Sequence, residues 1–153
     1  VYSITHGYVT FEQMFDIIKA FIKEKPDSEY HISVGTDSQN HDLTKTIQVV
    51  AVHGVGNGGI FFYEEKKIKK ITNLHQKLLY ETNASLNLAA RLAEKFKNEN
   101  FNYAISIHVD AGPNGPSKKI IPEISAWVRA CGFDCKTKPE SYAASSIANK
   151  YSK

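Results

Sequence analysis

Three stretches of alternating apolar and polar residues follow one another between Tyr30 and Lys66, joined only by short links, and from there on every strand-like stretch is preceded by a helical one. That order restricts the fold more than any single residue does. In the first stretch Tyr30, Ile32, Val34 and Thr36 alternate with His31, Ser33, Gly35 and Asp37. The second is Thr46 to His53 and the third Ile60 to Lys66, with Gly56-Asn57-Gly58-Gly59 as the tight turn between them. Short links make neighbouring strands antiparallel, so these three form a meander.

Apolar residues spaced three and four apart then predict a helix from about Thr72 to Lys97, and a fourth strand alternates from Tyr103 to Asp110. Ser117 caps a helix reaching roughly to Cys131, Gly132 ends it, Phe133 to Thr137 form a short fifth strand, and Pro139 opens a last helix. Strands that follow a helical crossover return parallel. The expected architecture is therefore α/β: a five-stranded mixed sheet with the second strand antiparallel and helices on both faces. Ahead of it Thr10 caps a peripheral helix over about 10–25, carrying Phe11, Phe15, Ile18 and Ile22. No repeat or linker divides the chain, and its 153 residues suit one domain over 1–153.

Composition narrows the function classes. With 42% hydrophobic and 23% charged residues the chain is built to fold, and a net charge of +3 permits a nucleic-acid partner without requiring one. Cys131 and Cys135 are too few for a zinc site and wrongly spaced for a redox pair, so they read as packing thiols. No apolar run reaches the roughly 20 residues that span a bilayer, which makes a cytoplasmic setting the default expectation. Gly112-Pro113-Asn114-Gly115-Pro116-Ser117 lacks the Gly-Lys-Ser/Thr ending of a P-loop, although with Lys118 and Lys119 it could present N–H groups and charge to phosphate. Lys66, Lys67, Lys69 and Lys70 could track a nucleic-acid backbone, or simply protect an exposed edge strand.

The chemistry lies on the first and fourth strands. Each ends its smaller, more polar face on an aspartate, Asp37 after His31, Ser33 and Gly35, and Asp110 after Ala104, Ser106 and His108. On the long helix Leu74, Leu78, Glu81, Ser85, Leu88, Leu92 and Phe96 form a stripe that Glu81 interrupts. A carboxylate facing the core has to be paired, hydrogen-bonded or bound to a cation. Three carboxylates converging at one sheet end would repel one another unless Mg2+ or Mn2+, which take hard oxygen ligands and accept phosphate oxygens, sat between them. The plainer readings are that Asp37 and Asp110 each start a turn, that Glu81 pairs with Lys77, and that His108 is a satisfied core histidine.

Gly35-Thr36-Asp37-Ser38-Gln39, Glu81-Thr82 with Ser85, the run from His108 through Val109-Asp110-Ala111-Gly112-Pro113-Asn114 to Gly115, and Lys138-Pro139-Glu140-Ser141-Tyr142-Ala143-Ala144 resemble the blocks of a bacterial family of ribonuclease-H-like proteins, the YkuK-like group. The resemblance runs from about Tyr8 to Lys153. It implies a ribonuclease-H-like fold with sheet order 3-2-1-4-5 and a two-metal nuclease site, with Asp37, Glu81 and Asp110 as catalytic acids and ligands of Mg2+ or Mn2+. The fourth ligand would come from the last helix, where Asn149 stands in place of an acid. Its carbonyl oxygen can still ligate, without the charge, so the second metal site should be the weaker one. Glu140 is a substitute, or only a complement to the helix dipole. Ser38, Gln39, Asn114, Lys118 and Lys138 are the candidate substrate contacts. The expected activity is phosphodiester hydrolysis of RNA, DNA or a hybrid. The alternative is a non-catalytic nucleic-acid- or protein-binding module with an incomplete site. A third reading, the phosphate turn of an actin-like ATPase, would need a second such domain.

Overall fold

The computed structural model describes residues 1–112 and 115–138. Two short strands, β1 (Tyr2–Ser3) and β2 (Gly7–Tyr8), precede helix α1 (Phe11–Glu24). At the start of α1 the Thr10 hydroxyl accepts from the Gln13 backbone N–H while the Gln13 side chain accepts from the Thr10 N–H. This reciprocal cap satisfies two donors that a first helical turn leaves open. The meander follows as β3 (Tyr30–Asn40), β4 (Thr44–Gly54) and β5 (Gly58–Ile68), each several residues longer than its alternation alone indicates. Polar residues such as Ser38 and Gln39 break the apolar pattern without breaking the ladder, because β4 pairs with them up to Asn40.

Helix α2 (Leu74–Phe96) crosses over to β6 (Tyr103–His108), a short 3-10 turn occupies Pro116–Lys119, and α3 (Ile121–Ala130) leads to β7 (Asp134–Lys136). Ser117 therefore does not cap the helix; it lies inside the 3-10 turn, and Pro122 opens α3. Gly132 ends α3 with φ +92°, a left-handed conformation open to a residue without Cβ.

The sheet has seven strands rather than five, in the order β2-β1-β5-β4-β3-β6-β7. The five expected strands keep the expected order, with β3 antiparallel to β4 and parallel to β6. The additional two are two-residue strands, too short for a period of two to show in sequence, and they extend the sheet beyond β5 through Tyr2 opposite Tyr63.

Hydrogen bonds identify the covered face. The Tyr30 hydroxyl lies within reach of the Ile22 and Lys25 carbonyls at the end of α1, Thr36 Oγ1 is 2.9 Å from Ser85 Oγ on α2, and Ser125 Oγ on α3 donates to Cys135 Sγ. All three described helices thus lie on one face, over a core that includes Phe15, Ile18, Tyr30, Val34, Phe62 and Leu92. Each such side chain contributes about 1.5–3 kcal/mol by leaving water. Helices were expected on both faces. The one expected to cover the other, opening at Pro139, lies outside the described residues, as do Asn114, Glu140 and Asn149. No described helix is long and apolar enough to cross a membrane.

Towards the Asn40 end of β3 the layer between sheet and α2 becomes polar. Thr36, Ser38 and Thr46 face it from the sheet and Glu81, Thr82 and Ser85 from α2, all buried, whereas Leu74 at the start of the predicted stripe is exposed.

Candidate functional site

The parallel pairing of β3 with β6 stops at Gly35 opposite His108. Asp37 is two residues further along β3 and Asp110 two residues past His108, so the two acids flank the point where the strands part. Contrary to the sequence reading, Asp37 does not end its strand, which runs on to Asn40, and Asp110 lies beyond the end of β6.

Asp37 and Asp110 act on each other: burial in the first place, and then the charge of Asp110 and a hydrogen bond to its side chain, raise the Asp37 pKa from 3.8 to about 6, against the backbone N–H of Ser38 and the charge of Lys77. The Ser38 N–H donates to Asp37 Oδ1 at 2.9 Å.

Glu81 approaches from α2, on the other side of the sheet plane. It is 3% exposed, and burial raises its pKa from 4.5 to about 8 although the Ser38 hydroxyl donates to its Oε2. Asp37 and Asp110 push it further up and Lys77 pulls it down. Near neutral pH Glu81 is thus largely protonated. Lys77 acts on both acids, so the pairing considered from its spacing to Glu81 is one part of a wider role. Ser38, expected to touch substrate, is buried and turned to Glu81, so it joins the two acids that flank it.

Asp110 meets a cation. Lys138 Nζ lies 2.6 Å from its Oδ1, and the Lys138 backbone N–H donates to the Ala111 carbonyl at 2.8 Å. The side-chain hydrogen bond to Asp110 first, and the Asp110 charge second, raise the Lys138 pKa. Gln39 lies on the Asp37 face opposite Lys45, while Lys118 is exposed on the 3-10 turn. His108 is buried on the same face, and its pKa is lowered by burial and by Lys136. Among the described residues no group of three or more His, Cys, Asp and Glu side chains is arranged to hold a metal ion. The acids form a pair with a protonated neighbour rather than a closed set of three. Sequence reasoning missed the Lys138–Asp110 contact, whose partners are 28 positions apart with nothing periodic between them.

The sequence profile of the ribonuclease H-like family matches residues 13–153. The chain belongs to that family. The uncharacterized protein YkuK of Bacillus subtilis (strain 168) is 30% identical over 165 residues, spanning 99% of this chain and 96% of the relative, which makes this a YkuK-like ribonuclease H-like protein. Among solved structures, Ciona intestinalis endonuclease V in complex with a 23mer DNA aligns over 81% of this chain and 70% of that one, at 10% identity and a TM-score of 0.29. That likeness is too slight to argue from.

Proposed function

We propose that this ribonuclease H-like protein is a divalent-metal-dependent nuclease that uses Mg2+ or Mn2+ at Asp37 and Asp110. One observation carries the reading: two half-buried carboxyls at the end of a parallel strand pair lie close enough that the charge of Asp110 raises the Asp37 pKa. A divalent cation between them would relieve that repulsion. The donor set fits such an ion, being hard carboxylate oxygens. Asp37 and Asp110 would hold it, with Glu81 adjacent and Asn149, outside the described residues, as the candidate further ligand.

When bound, the metal would supply Lewis acidity towards a phosphoryl oxygen and lower the pKa of a coordinated water. The chain's own groups do the rest. Asp37 and Asp110 present carboxylate oxygens, Ser38 fixes Asp37 through its N–H and Glu81 through its hydroxyl, and Lys138 orients Asp110. Substrate recruitment is electrostatic. The sheet end at Asn40, Thr44 and Ile68 is flanked by Lys66, Lys67, Lys69 and Lys70, and Lys77 and Lys138 act on the acids themselves. Such a cluster neutralises phosphates without reading sequence. Lys66 and Lys67 lie on the part of β5 that β1 leaves unpaired, and Lys69 and Lys70 follow its end, so edge protection and phosphate contact are compatible.

A non-catalytic nucleic-acid-binding module is the second reading, favoured by the lack of a closed three-acid group among the described residues. Labelled RNA, DNA and hybrid strands incubated with manganese separate the two. The nuclease reading expects cleavage that Asp37→Asn reduces to background. Salt-sensitive binding with no cleavage of any substrate would favour the module.

A further inference from the structure

A second site lies in the polar layer between α2 and the sheet, away from the aspartate pair. A cavity of about 230 Å³ opens there, lined among others by Gln48, Glu64, Lys66, Tyr80, Phe11 and Arg91. Residues that usually close a helix against a sheet are apolar, and these mostly are not.

Its central group is Glu64. Glu64 Oε2 is buried and has no hydrogen-bond partner among the described residues. A buried carboxylate oxygen left unpaired is costly, so its natural complement is a ligand bearing N–H donors. Glu64 sits opposite Gln48, whose amide is fixed by donating to Thr36 Oγ1 at 3.3 Å and to the Ala84 carbonyl at 2.9 Å.

The ends of the cleft carry the opposite charge. Lys66 is two residues along β5 on the same face, about 7 Å away. Arg91 is seven residues beyond Ala84 on α2, about 10 Å along the helix. The Arg91 guanidinium lies 4.3 Å from the centre of the Phe11 ring, held over an aromatic face in a geometry that leaves the planar edge as the part that can meet an anion. From Tyr80 to Arg91 the lining spans about 16 Å of helix. The lining thus offers a carboxylate on the sheet and a guanidinium on the helix, complements for the two ends of a base joined through ribose to a phosphate.

We infer that this cleft binds a guanine mononucleotide, with Glu64 accepting from the base and Arg91 holding the phosphate. Guanine is the common base that presents two adjacent donors, N1–H and the N2 amino group, to one carboxylate. Adenine presents an acceptor at N1 and is refused. The inference does not rest on the nuclease reading, and the test is run without divalent metal so that the two fail separately.

Isothermal titration of the full chain with GMP, IMP, AMP, guanosine and inorganic phosphate tests it. GMP is expected to bind at least about tenfold tighter than AMP, with IMP between them because it lacks the N2 donor, since hydrogen bonds to a charged group are worth that much or more. Glu64→Gln should abolish the preference for GMP over AMP. Arg91→Gln, at an exposed position, should bring GMP down to the affinity of guanosine. No heat with GMP, equal affinity for GMP and AMP, or a preference for GMP that survives Glu64→Gln in a protein with unchanged circular dichroism would overturn the proposal. Should Glu64→Gln fail to fold, the GMP-to-guanosine ratio of Arg91→Gln decides: an unchanged ratio overturns it.

Discussion

Lys138 Nζ lies 2.6 Å from Asp110 Oδ1, so one member of the aspartate pair already has a counter-ion supplied by the chain. An ammonium at that distance competes with any divalent cation for the same oxygen.

Removing it should therefore strengthen metal binding. Lys138→Met is expected to lower the manganese dissociation constant several-fold in calorimetric titration and, under the proposed function, to weaken nucleic-acid binding. Both effects should shrink in high salt, because Lys138 is half exposed and its field is screened there. Unchanged metal affinity would mean that Lys138 shapes the loop through its backbone bond to Ala111 and nothing more.

The raised pKa values of Asp37 and Glu81 imply a definite pH dependence of stability. In the folded state these groups bind protons up to about 6 and about 8, against ordinary values of 3.8 and 4.5. Between the two sets of values the folded chain holds more protons than the unfolded one, so stability falls as pH rises. Metal-free protein should thus lose stability from about pH 4.5 to pH 8, and Glu81→Gln, which keeps an acceptor for Ser38, should flatten the upper part of that decline. Urea midpoints at intervals of pH measure it. A curve for Glu81→Gln parallel to wild type would contradict a protonated Glu81.

Gly54 tests the packing that supports the first strand of the meander. A Cβ built there would lie 2.5 Å from Tyr30 Cε1, and the Tyr30 ring cannot swing aside because its hydroxyl is held by Ile22, Lys25 and Asn57. Gly54→Ala should destabilise the protein by about 1–3 kcal/mol, the usual cost of overpacking. A melting temperature within a degree of wild type would show that Tyr30 relaxes freely.

The fold was readable wherever a period persisted. Tyr30 to Thr36 and Tyr103 to His108 alternate over enough residues to fix which side faces the helices, and Glu81 stands out because it interrupts an apolar stripe. Tyr2–Ser3 and Gly7–Tyr8 carry no period at all. Asp37 and Asp110 could be paired on paper because each ends a small-residue face. That Asp110 raises the Asp37 pKa, that Ser38 is committed to Glu81, and that Lys138 binds Asp110 depend on contacts across 28 to 73 positions, which no local pattern encodes. The cavity beside Glu64 was invisible for the same reason: Thr46, Gln48 and Glu64 look like the solvent face of a strand until α2 is laid over them.

Under the proposed function the Asp37–Asp110 pair holds a divalent cation. Anomalous diffraction from a crystal soaked in manganese at pH 7.5 measures this directly. A manganese peak is expected about 2.0–2.2 Å from an oxygen of each aspartate, with Lys138 displaced from Asp110. A map with no peak there and Lys138 still in place on Asp110 would contradict the proposed function.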